Sequence, residues 1–221
     1  MFHKNTVRTT NAHSKEKEIM KGWAPYYDWL VKLMLGGKEA KIRKMTVDLA
    51  GVKPGDKVLE IGCGTGSLTI AAKKQAGVQG EVCGIDPLPE MLNVARRKAE
   101  RAGLEITFES GSLQEIPFPD HQFDVVMISF MIFHVPSADI QRRGFAEIAR
   151  VLKPGGQLLI LDRSTEEQAG RSWIEKLFLN FSQPDMRTLL PMLQDAGFVD
   201  ATVEQTQYKF LTTLRARIKP T

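Results

Sequence analysis

The sequence predicts an α/β protein with a seven-stranded, mostly parallel sheet, helices on both faces and a C-terminal antiparallel hairpin. From residue 57 to residue 162, short runs rich in Val, Ile and Leu alternate with helix-compatible segments. This alternation is typical of parallel strands joined by right-handed crossovers and covered on both faces. The last two apolar segments, 199–205 and 209–217, are separated by only three residues, which indicates antiparallel pairing.

Five strands are predicted in the alternating part of the chain, and each predicted helix is followed closely by glycine or by a Pro-Gly turn. The strands are 57–61, 81–85, 105–109, 124–129 and 157–162, and the helices are 67–75, 87–102 and 138–152. Ser137 is a suitable N-cap for the last of these helices. The turn at residues 153–156 leads into the fifth strand.

Two further segments flank this core. Residues 16–35 and 38–50 read as helices, and we interpret residues 1–50 as a helical cap over the functional site. Residues 51–221 then form the main domain, with an insertion at 163–190. The insertion carries a predicted helix at 170–181, and another helix follows at 189–196. Pro191 must lie in the first turn of that helix, or the helix is kinked there.

Composition narrows the class of protein. The chain has 221 residues, 43% hydrophobic and 25% charged, which suits one soluble globular domain. No apolar run is long enough to span a bilayer, and residues 1–21 lack the apolar core of a signal peptide. The two cysteines, Cys63 and Cys83, are too few for a disulfide framework. We therefore expect a cytoplasmic protein.

The chain is basic, with a formal net charge of +4. Its basic groups at 38–44 and 96–101 are not interleaved with aromatic residues, so we expect no nucleic-acid partner. Attraction to an anionic membrane surface stays open as a peripheral contact. No Cys/His cluster has the spacing of zinc ligands, and we expect no metal.

A glycine-rich turn is the strongest functional signal. Gly62, Gly64 and Gly66 lie between the first strand and its helix, and Asp86 ends the second strand. A strand that enters a helix through such a turn, followed by an acid at the next strand end, is typical of a nucleotide-type site. The spacing differs from the dinucleotide pattern, and Glu60 would repel a pyrophosphate. S-adenosylmethionine has an ammonium, a sulfonium and no phosphate, so the charge pattern favours it.

On these residues the chain resembles the class I S-adenosylmethionine-dependent methyltransferases. The family's motifs match four segments, namely residues 60–66, 84–86, 123–126 and 152–158. Residues 116–120, 26–28 and 196–198 are similar to the branch that includes quinone-biosynthesis C-methyltransferases and many small-molecule methyltransferases. The resemblance implies a Rossmann-like fold and S-adenosylmethionine as cosubstrate.

The resemblance also implies roles for particular residues. Asp86 would bind the ribose hydroxyls, and Pro87 and Leu88 would pack against the adenine. Ser112 occupies the position at which the family often has an acid that binds the adenine amino group. Met91 either contacts the adenine or belongs to the hydrophobic core. The complete predicted cofactor site is Glu60, Ile61, Gly62, Cys63, Gly64, Gly66, Asp86, Pro87, Met91, Ser112, Leu113 and Ser129.

Two candidate catalytic residues have alternative interpretations. His134 is either a general base near neutral pH or a residue that packs beside the cofactor. Tyr26, with Tyr27, either closes over the site or packs between helices. Methyl transfer is an in-line displacement that depends mainly on positioning, so a base is not required. Three aromatic residues form either a lid over the acceptor or part of the core, and they are Trp173, Phe178 and Phe181.

We therefore expect an enzyme that transfers a methyl group to a small or amphiphilic acceptor and releases S-adenosylhomocysteine. Three alternatives remain open at this point. The chain could methylate RNA or protein, or bind the cofactor without catalysis. A nicotinamide-dependent dehydrogenase is disfavoured by the glycine spacing and by Glu60.

Overall fold

One seven-stranded sheet organises the computed structural model, which describes residues 28–29, 31, 35–135, 137–164 and 185–220. The strands are Lys57–Ile61 (β1), Glu81–Asp86 (β2), Thr107–Ser110 (β3), Phe123–Ser129 (β4), Leu152–Arg163 (β5), Phe198–Gln205 (β6) and Leu211–Ile218 (β7). Their order across the sheet is β3-β2-β1-β4-β5-β7-β6. The first five strands are parallel, whereas β7 pairs antiparallel with both β5 and β6. The predicted sheet and its C-terminal hairpin are confirmed.

Five α-helices flank these strands in the described residues. They are Glu39–Leu49 (α1), Ser67–Ala76 (α2), Pro89–Arg101 (α3), Ala138–Val151 (α4) and Leu190–Asp195 (α5). Short 3-10 helices cover Ile132–His134 and Met186–Leu189. Ser137 Oγ accepts a hydrogen bond from the Ile140 N–H, as expected of an N-cap. None of the helices described is long and apolar enough to cross a membrane.

Two apolar clusters lie on opposite faces of the sheet. On one face, Leu59 and Ile160 share a cluster with Phe145 and Ile148 of α4. On the other face, Val58 and Met127 pack with residues of α1 and α2, among them Val47, Leu68 and Ala72. Residues alternate between faces along each strand, and both faces are buried, which explains why the strands are apolar throughout.

Within the described residues, the element boundaries agree with the predictions to within one or two residues, except at the start of β5. The predicted helix at 170–181 and most of the predicted helix at 16–35 lie outside the described residues. Residues 153–156, which were predicted to form a turn, lie within strand β5, Leu152–Arg163. The pairing register nevertheless jumps there, because Phe123 is opposite Leu152 while Val125 is opposite Gln157. Lys153–Gly156 therefore bulges out of the sheet, so a turn-like sequence is accommodated inside a strand.

Arg150 of α4 holds the loop between β3 and β4 in place. Its Nη1 donates to the Phe118 carbonyl at 2.8 Å and its Nη2 to the Ile116 carbonyl at 3.0 Å. The same guanidinium pairs with Asp120 at 2.8 Å and with Glu147 at 2.7 Å. The loop bears two prolines and cannot form a regular ladder, so a planar donor with several N–H groups satisfies its carbonyls instead.

We expect Arg150→Met to lower the free energy of unfolding by about 1–3 kcal/mol, because it removes the guanidinium donor from the Phe118 carbonyl and leaves the Ile116 carbonyl with only the Phe118 N–H. Arg142→Met is the matched control on the same helix. Arg142 pairs only with the exposed Asp139, so its replacement should change stability by less than about 0.5 kcal/mol. Urea unfolding of both variants measures the difference. Equal effects would show that Arg150 does not anchor the loop.

Candidate active site

The carboxyl ends of β1, β2, β4 and β5 lie level at one edge of the sheet. Ile61 of β1 is opposite Ile85 of β2 and Ile128 of β4, and Ser129 is opposite Leu161 of β5. The chain order reverses between β1 and β4. Open α/β sheets bind ligands at such a switch point, outside the carboxyl ends of the strands. The glycine turn, Asp86 and Ser129 therefore meet at one crevice.

The glycine turn is tied to the end of β2 through its backbone. The N–H groups of Gly62 and Cys63 both donate to the Ile85 carbonyl, at 2.8 and 2.9 Å. The Gly64 N–H donates to Asp86 Oδ2 at 2.9 Å, and the Gly66 N–H donates to the Cys63 carbonyl at 2.9 Å. These four donors are occupied within the protein. The turn therefore does not present a cradle of free N–H groups to a phosphate, unlike a typical phosphate-binding loop.

Gly62 combines a left-handed backbone with a close approach to another loop. Its φ is +71°, and a Cβ there would lie 2.8 Å from Met131 Cγ. Met131 follows Phe130, which itself adopts φ +54°. A bulky residue in this region is uncommon, and such strain costs about 1–3 kcal/mol and occurs preferentially at functional sites. The loops after β1 and β4 are thus packed so tightly that only glycine fits at residue 62.

Asp86 links the glycine turn to the start of α3. Its side chain is 7% exposed, Oδ2 accepts from Gly64 and Oδ1 accepts from the Leu88 N–H at 2.9 Å. Burial raises the pKa of Asp86, and the two N–H donors counteract only part of that rise. Each carboxylate oxygen can accept a second hydrogen bond. The residue therefore retains acceptor capacity toward a pair of hydroxyl groups.

Glu60 is a buried acid inside the sheet, with 3% of its surface exposed. It accepts a hydrogen bond from the hydroxyl of Thr69 on α2. Burial raises the pKa of Glu60 to about 7, while the Thr69 hydroxyl and the positive charge of Arg43 lower it. Within the part of the chain that the structure describes, no lysine or arginine forms an ion pair with it. A cationic ligand would supply the missing charge, whereas a pyrophosphate would be repelled.

The other predicted cofactor residues lie at different depths around the crevice. Pro87 is exposed beside Asp86, but Met91 is only 2% exposed within α3, so it offers little surface to a ligand. Ser112 exchanges backbone hydrogen bonds with Glu115 at 3.2 Å, and the buried Leu113 lies against Gly144 of α4. The segment after β3 is therefore a closed turn beside Asp86. A backbone group of this turn suits a contact with the adenine better than a long acidic side chain would.

A polar cluster that sequence reasoning missed joins the N-terminal segment to the glycine turn. Thr65 Oγ1 donates to Asp28 Oδ1 at 2.5 Å, and Lys98 Nζ donates to Asp28 Oδ2 at 2.6 Å. Burial raises the pKa of Asp28, but the hydrogen bonds from Lys98 and Thr65 outweigh it and hold the pKa below its usual range. Lys98 also donates to Ser67. We call Asp28, Thr65, Ser67 and Lys98 the N-terminal clamp.

Asp162, near the end of β5, is a second residue that sequence reasoning missed. It is buried like Asp86, and its Oδ1 accepts from the Arg163 N–H at 2.8 Å. Asp162 follows the apolar run Leu158–Leu161, just as Asp86 ends the apolar strand β2. The same sequence signal, an acid at the end of an apolar strand, could therefore have identified it. Several other predicted residues lie outside the described part of the chain, namely Tyr26, Tyr27, Trp173, Phe178, Phe181 and the side chain of His134.

Comparisons with known proteins agree with this geometry. A family described as "Methyltransferase domain" matches residues 58–156. The chain is 32% identical to the ubiquinone/menaquinone biosynthesis C-methyltransferase UbiE of Vibrio parahaemolyticus, over 96% of this chain and 88% of that protein. It is 39% identical to a demethylmenaquinone methyltransferase of Lactobacillus johnsonii, over 72% of this chain and 67% of that protein. A crystal structure of a SAM-dependent methyltransferase from Aquifex aeolicus superposes with a TM-score of 0.67 at 26% identity, covering 80% of this chain and 89% of that one.

We expect Gly62→Ala to be more destabilising than a glycine replacement at an uncrowded left-handed position. The new methyl group meets Met131 and adds to the backbone cost of about 1–2 kcal/mol. Gly103→Ala is the matched control, because Gly103 has φ +65° and no atom lies within 4 Å of the position that its new methyl group would take. Thermal unfolding of both variants gives the comparison. A Gly62→Ala protein as stable as Gly103→Ala would contradict the tight packing of the two loops.

Glu60 should make the protein less stable as the pH rises. Its pKa is about 7 in the folded chain against a reference value of 4.5, so the folded state binds the proton more strongly between these values. The free energy of unfolding should therefore fall from about pH 4.5 to 7, and Glu60→Gln should remove this part of the slope. Thr69→Val removes the hydroxyl that lowers the pKa and should extend the fall to higher pH. Denaturant unfolding across this pH range tests this. If the free energy of unfolding of both variants kept the wild-type dependence on pH, the slope would not come from Glu60.

Proposed function

Because this chain belongs to the S-adenosylmethionine-dependent methyltransferases, in the group that resembles quinone C-methyltransferases, we propose that it methylates a ring carbon of a quinone precursor. The single observation that carries the donor side is the glycine turn. Its N–H groups are occupied and two buried carboxyl groups flank it. This arrangement suits a cationic, phosphate-free nucleoside and opposes a dinucleotide.

The residues present fit S-adenosylmethionine. We propose that Asp86 accepts hydrogen bonds from the ribose hydroxyls and that the turn from Gly62 to Gly66 lines the methionine end. The buried Glu60 would favour the positively charged amino group and would itself be held ionised by it. When bound, the cosubstrate supplies a methyl group activated by the adjoining sulfonium. Methylation of a ring carbon would form a C–C bond as the C–S bond of the donor breaks, and the ring hydrogen would leave as a proton to a base or to water. The chain therefore has to position the acceptor, exclude bulk water and let that proton leave.

The N-terminal clamp contributes to this positioning. Asp28 pairs with Lys98 of α3 and accepts a hydrogen bond from Thr65 in the glycine turn, so residue 28 is held beside that turn. We propose that residues 1–50 form a cap over the donor and acceptor, in which Tyr26 covers the site. His134, whose backbone lies in the 3-10 helix after β4, remains a candidate base.

A quinone precursor is favoured as acceptor by the names of the relatives and by the setting of the crevice. The end of β4 continues into the apolar stretch from Phe130 to Phe133, and both faces beneath it are apolar. Such walls suit an aromatic ring with a hydrophobic tail. Trp29 is 67% exposed next to Asp28, and the chain carries a net charge of +4. These two features support a peripheral contact with an anionic membrane in which such acceptors dissolve.

The proposed function is tested by titration and by turnover. Isothermal titration should show binding of S-adenosylmethionine, and a demethylated naphthohydroquinone with a short prenyl tail should be converted with release of S-adenosylhomocysteine. Absence of binding up to millimolar cosubstrate would refute the donor site. Binding without turnover would instead favour a non-catalytic cofactor-binding protein. Turnover of RNA with a steep salt dependence would favour a nucleic-acid methyltransferase.

We expect Asp86→Ala to weaken binding of S-adenosylmethionine by about 1.5–3 kcal/mol, the range for hydrogen bonds to a charged group. Asp124→Ala is the matched control. Asp124 lies near the amino end of β4, where it accepts from the Lys57 N–H at 2.9 Å and pairs with Lys153 at 2.7 Å. Its loss should reduce stability and leave the affinity unchanged. Equal affinities of the two variants would remove Asp86 from the donor site.

A further inference from the structure

The methyl-donor site does not use the carboxyl group of Asp162, and that group is incompletely hydrogen-bonded. The side chain is 6% exposed, and Oδ1 accepts from the Arg163 N–H at 2.8 Å. Oδ2 is fully buried and has no hydrogen-bond partner among the described residues. An unpaired buried polar atom destabilises the folded state. Such an atom in a folded protein calls for an explanation, and a role in binding a ligand is one.

Asp162 lies at the same edge of the sheet as the methyl-donor site. Leu161 precedes it and is opposite Ser129 of β4, and the Phe130 N–H donates to the Leu161 carbonyl at 2.9 Å. Ser129 in turn follows Ile128, which is opposite Ile61 at the start of the glycine turn. Neighbouring strands are about 4.8 Å apart, so Asp162 is two strands and about 10 Å from that turn.

The surroundings of Asp162 are mostly apolar. Side chains alternate along β5, so Asp162 shares its face with Leu158 and Ile160. The cluster on this face also includes Ile132 after β4 and Met186 before α5. On β7 the residue opposite Asp162 is Thr212. A carboxyl group at the end of an apolar cluster matches the usual composition of a ligand pocket, in which a few polar groups set the orientation.

The chemistry of the carboxyl group selects the kind of ligand. Burial raises the pKa of Asp162 to about 6, while the Arg163 N–H and the charge of Arg163 lower it. Above that pH the ionised carboxylate is an acceptor only. It therefore needs a donor, and in apolar surroundings a hydroxyl group on an aromatic ring supplies one without a second charge. An ether or a quinone carbonyl has no hydrogen to donate.

We propose that Asp162 binds the methyl acceptor, with Oδ2 accepting a hydrogen bond from a hydroxyl group on the acceptor ring. This contact would orient the ring between the apolar face of β5 and the methyl donor. The inference rests on the proposed function for the existence of an aromatic acceptor. It adds the residue that recognises the acceptor and the functional group that is recognised.

The test compares two probes that differ in the donor hydrogen, 1-naphthol and 1-methoxynaphthalene. Their affinities are measured by fluorescence titration on the full chain saturated with S-adenosylhomocysteine. The wild-type protein should bind 1-naphthol at least tenfold more tightly, as expected for a hydrogen bond to a charged group. Asp162→Asn keeps an oxygen for the Arg163 N–H but loses the charge, and the preference should fall severalfold. Asp162→Leu should abolish it.

Thr213→Val is the control variant. Thr213 is buried on β7 opposite Leu161, and its hydroxyl donates to the Glu204 carbonyl at 3.2 Å. Thr213 is buried like Asp162, but its hydroxyl already has a hydrogen-bond partner within the protein. Its replacement should therefore leave the preference for 1-naphthol unchanged. Asp162→Asn should unfold at the wild-type temperature or above at pH 8, because it removes an unpaired buried charge. Thr213→Val should unfold at a lower temperature.

Three outcomes would overturn the inference. Equal or undetectable affinity for the two probes in the wild type, with S-adenosylhomocysteine still bound, removes Asp162 from the acceptor site and leaves the methyltransferase assignment standing. If Asp162→Leu still binds 1-naphthol more tightly than 1-methoxynaphthalene and is less stable than the wild type, the role of Asp162 is purely structural. Failure of the wild type to bind S-adenosylhomocysteine overturns the proposed function and the inference with it.

Discussion

The site depends on the hydrogen bonds between the glycine turn and the end of β2. The Ile85 carbonyl accepts from two successive N–H groups, those of Gly62 and Cys63, and Asp86 accepts from the next one. These contacts fix how the chain leaves β1, and with it the direction in which α2 begins. They also consume the donors that a phosphate would need. One set of backbone contacts thus sets both the geometry of the turn and the charge of the ligand that it accepts.

Carboxyl groups are retained at the strand ends despite the cost of burying them. Glu60, Asp86 and Asp162 are all buried, and burial raises the pKa of each of them. A core made only for stability would contain apolar residues at these positions, because buried carboxyl groups weaken the folded state. Their presence at one edge of one sheet indicates that stability has been given up there for binding. A cationic donor and a hydroxylated acceptor would each offset part of that cost.

We place two ligands along the same edge. In our proposal the ends of β1 and β2 bind the methyl donor, and the ends of β4 and β5 form the apolar side that receives the acceptor. The strained Phe130 and the close contact between Met131 and Gly62 join the two halves. A Cβ at residue 62 would meet the Met131 side chain, so the two loops pack closely. We infer that this packing holds the proposed donor and acceptor sites at a fixed separation, which an in-line displacement requires. The N-terminal clamp joins Asp28 to the same region.

Sequence alone was sufficient for the sheet, the helices that the structure describes and the donor motif, because each depends on local patterns. Alternating apolar runs, the glycine spacing and Asp86 after β2 are readable within a few residues of chain. The clamp between Asp28 and Lys98, the loop anchor Arg150 and the unpaired oxygen of Asp162 were not predicted. Each depends on burial or on contacts between residues that are distant in sequence, and no local pattern records either. The sequence therefore determined what the methyl donor is, and it predicted the residues that we propose to bind it. Only the tertiary structure decided which strand ends lie together at one edge, since that follows from strand order, register and burial.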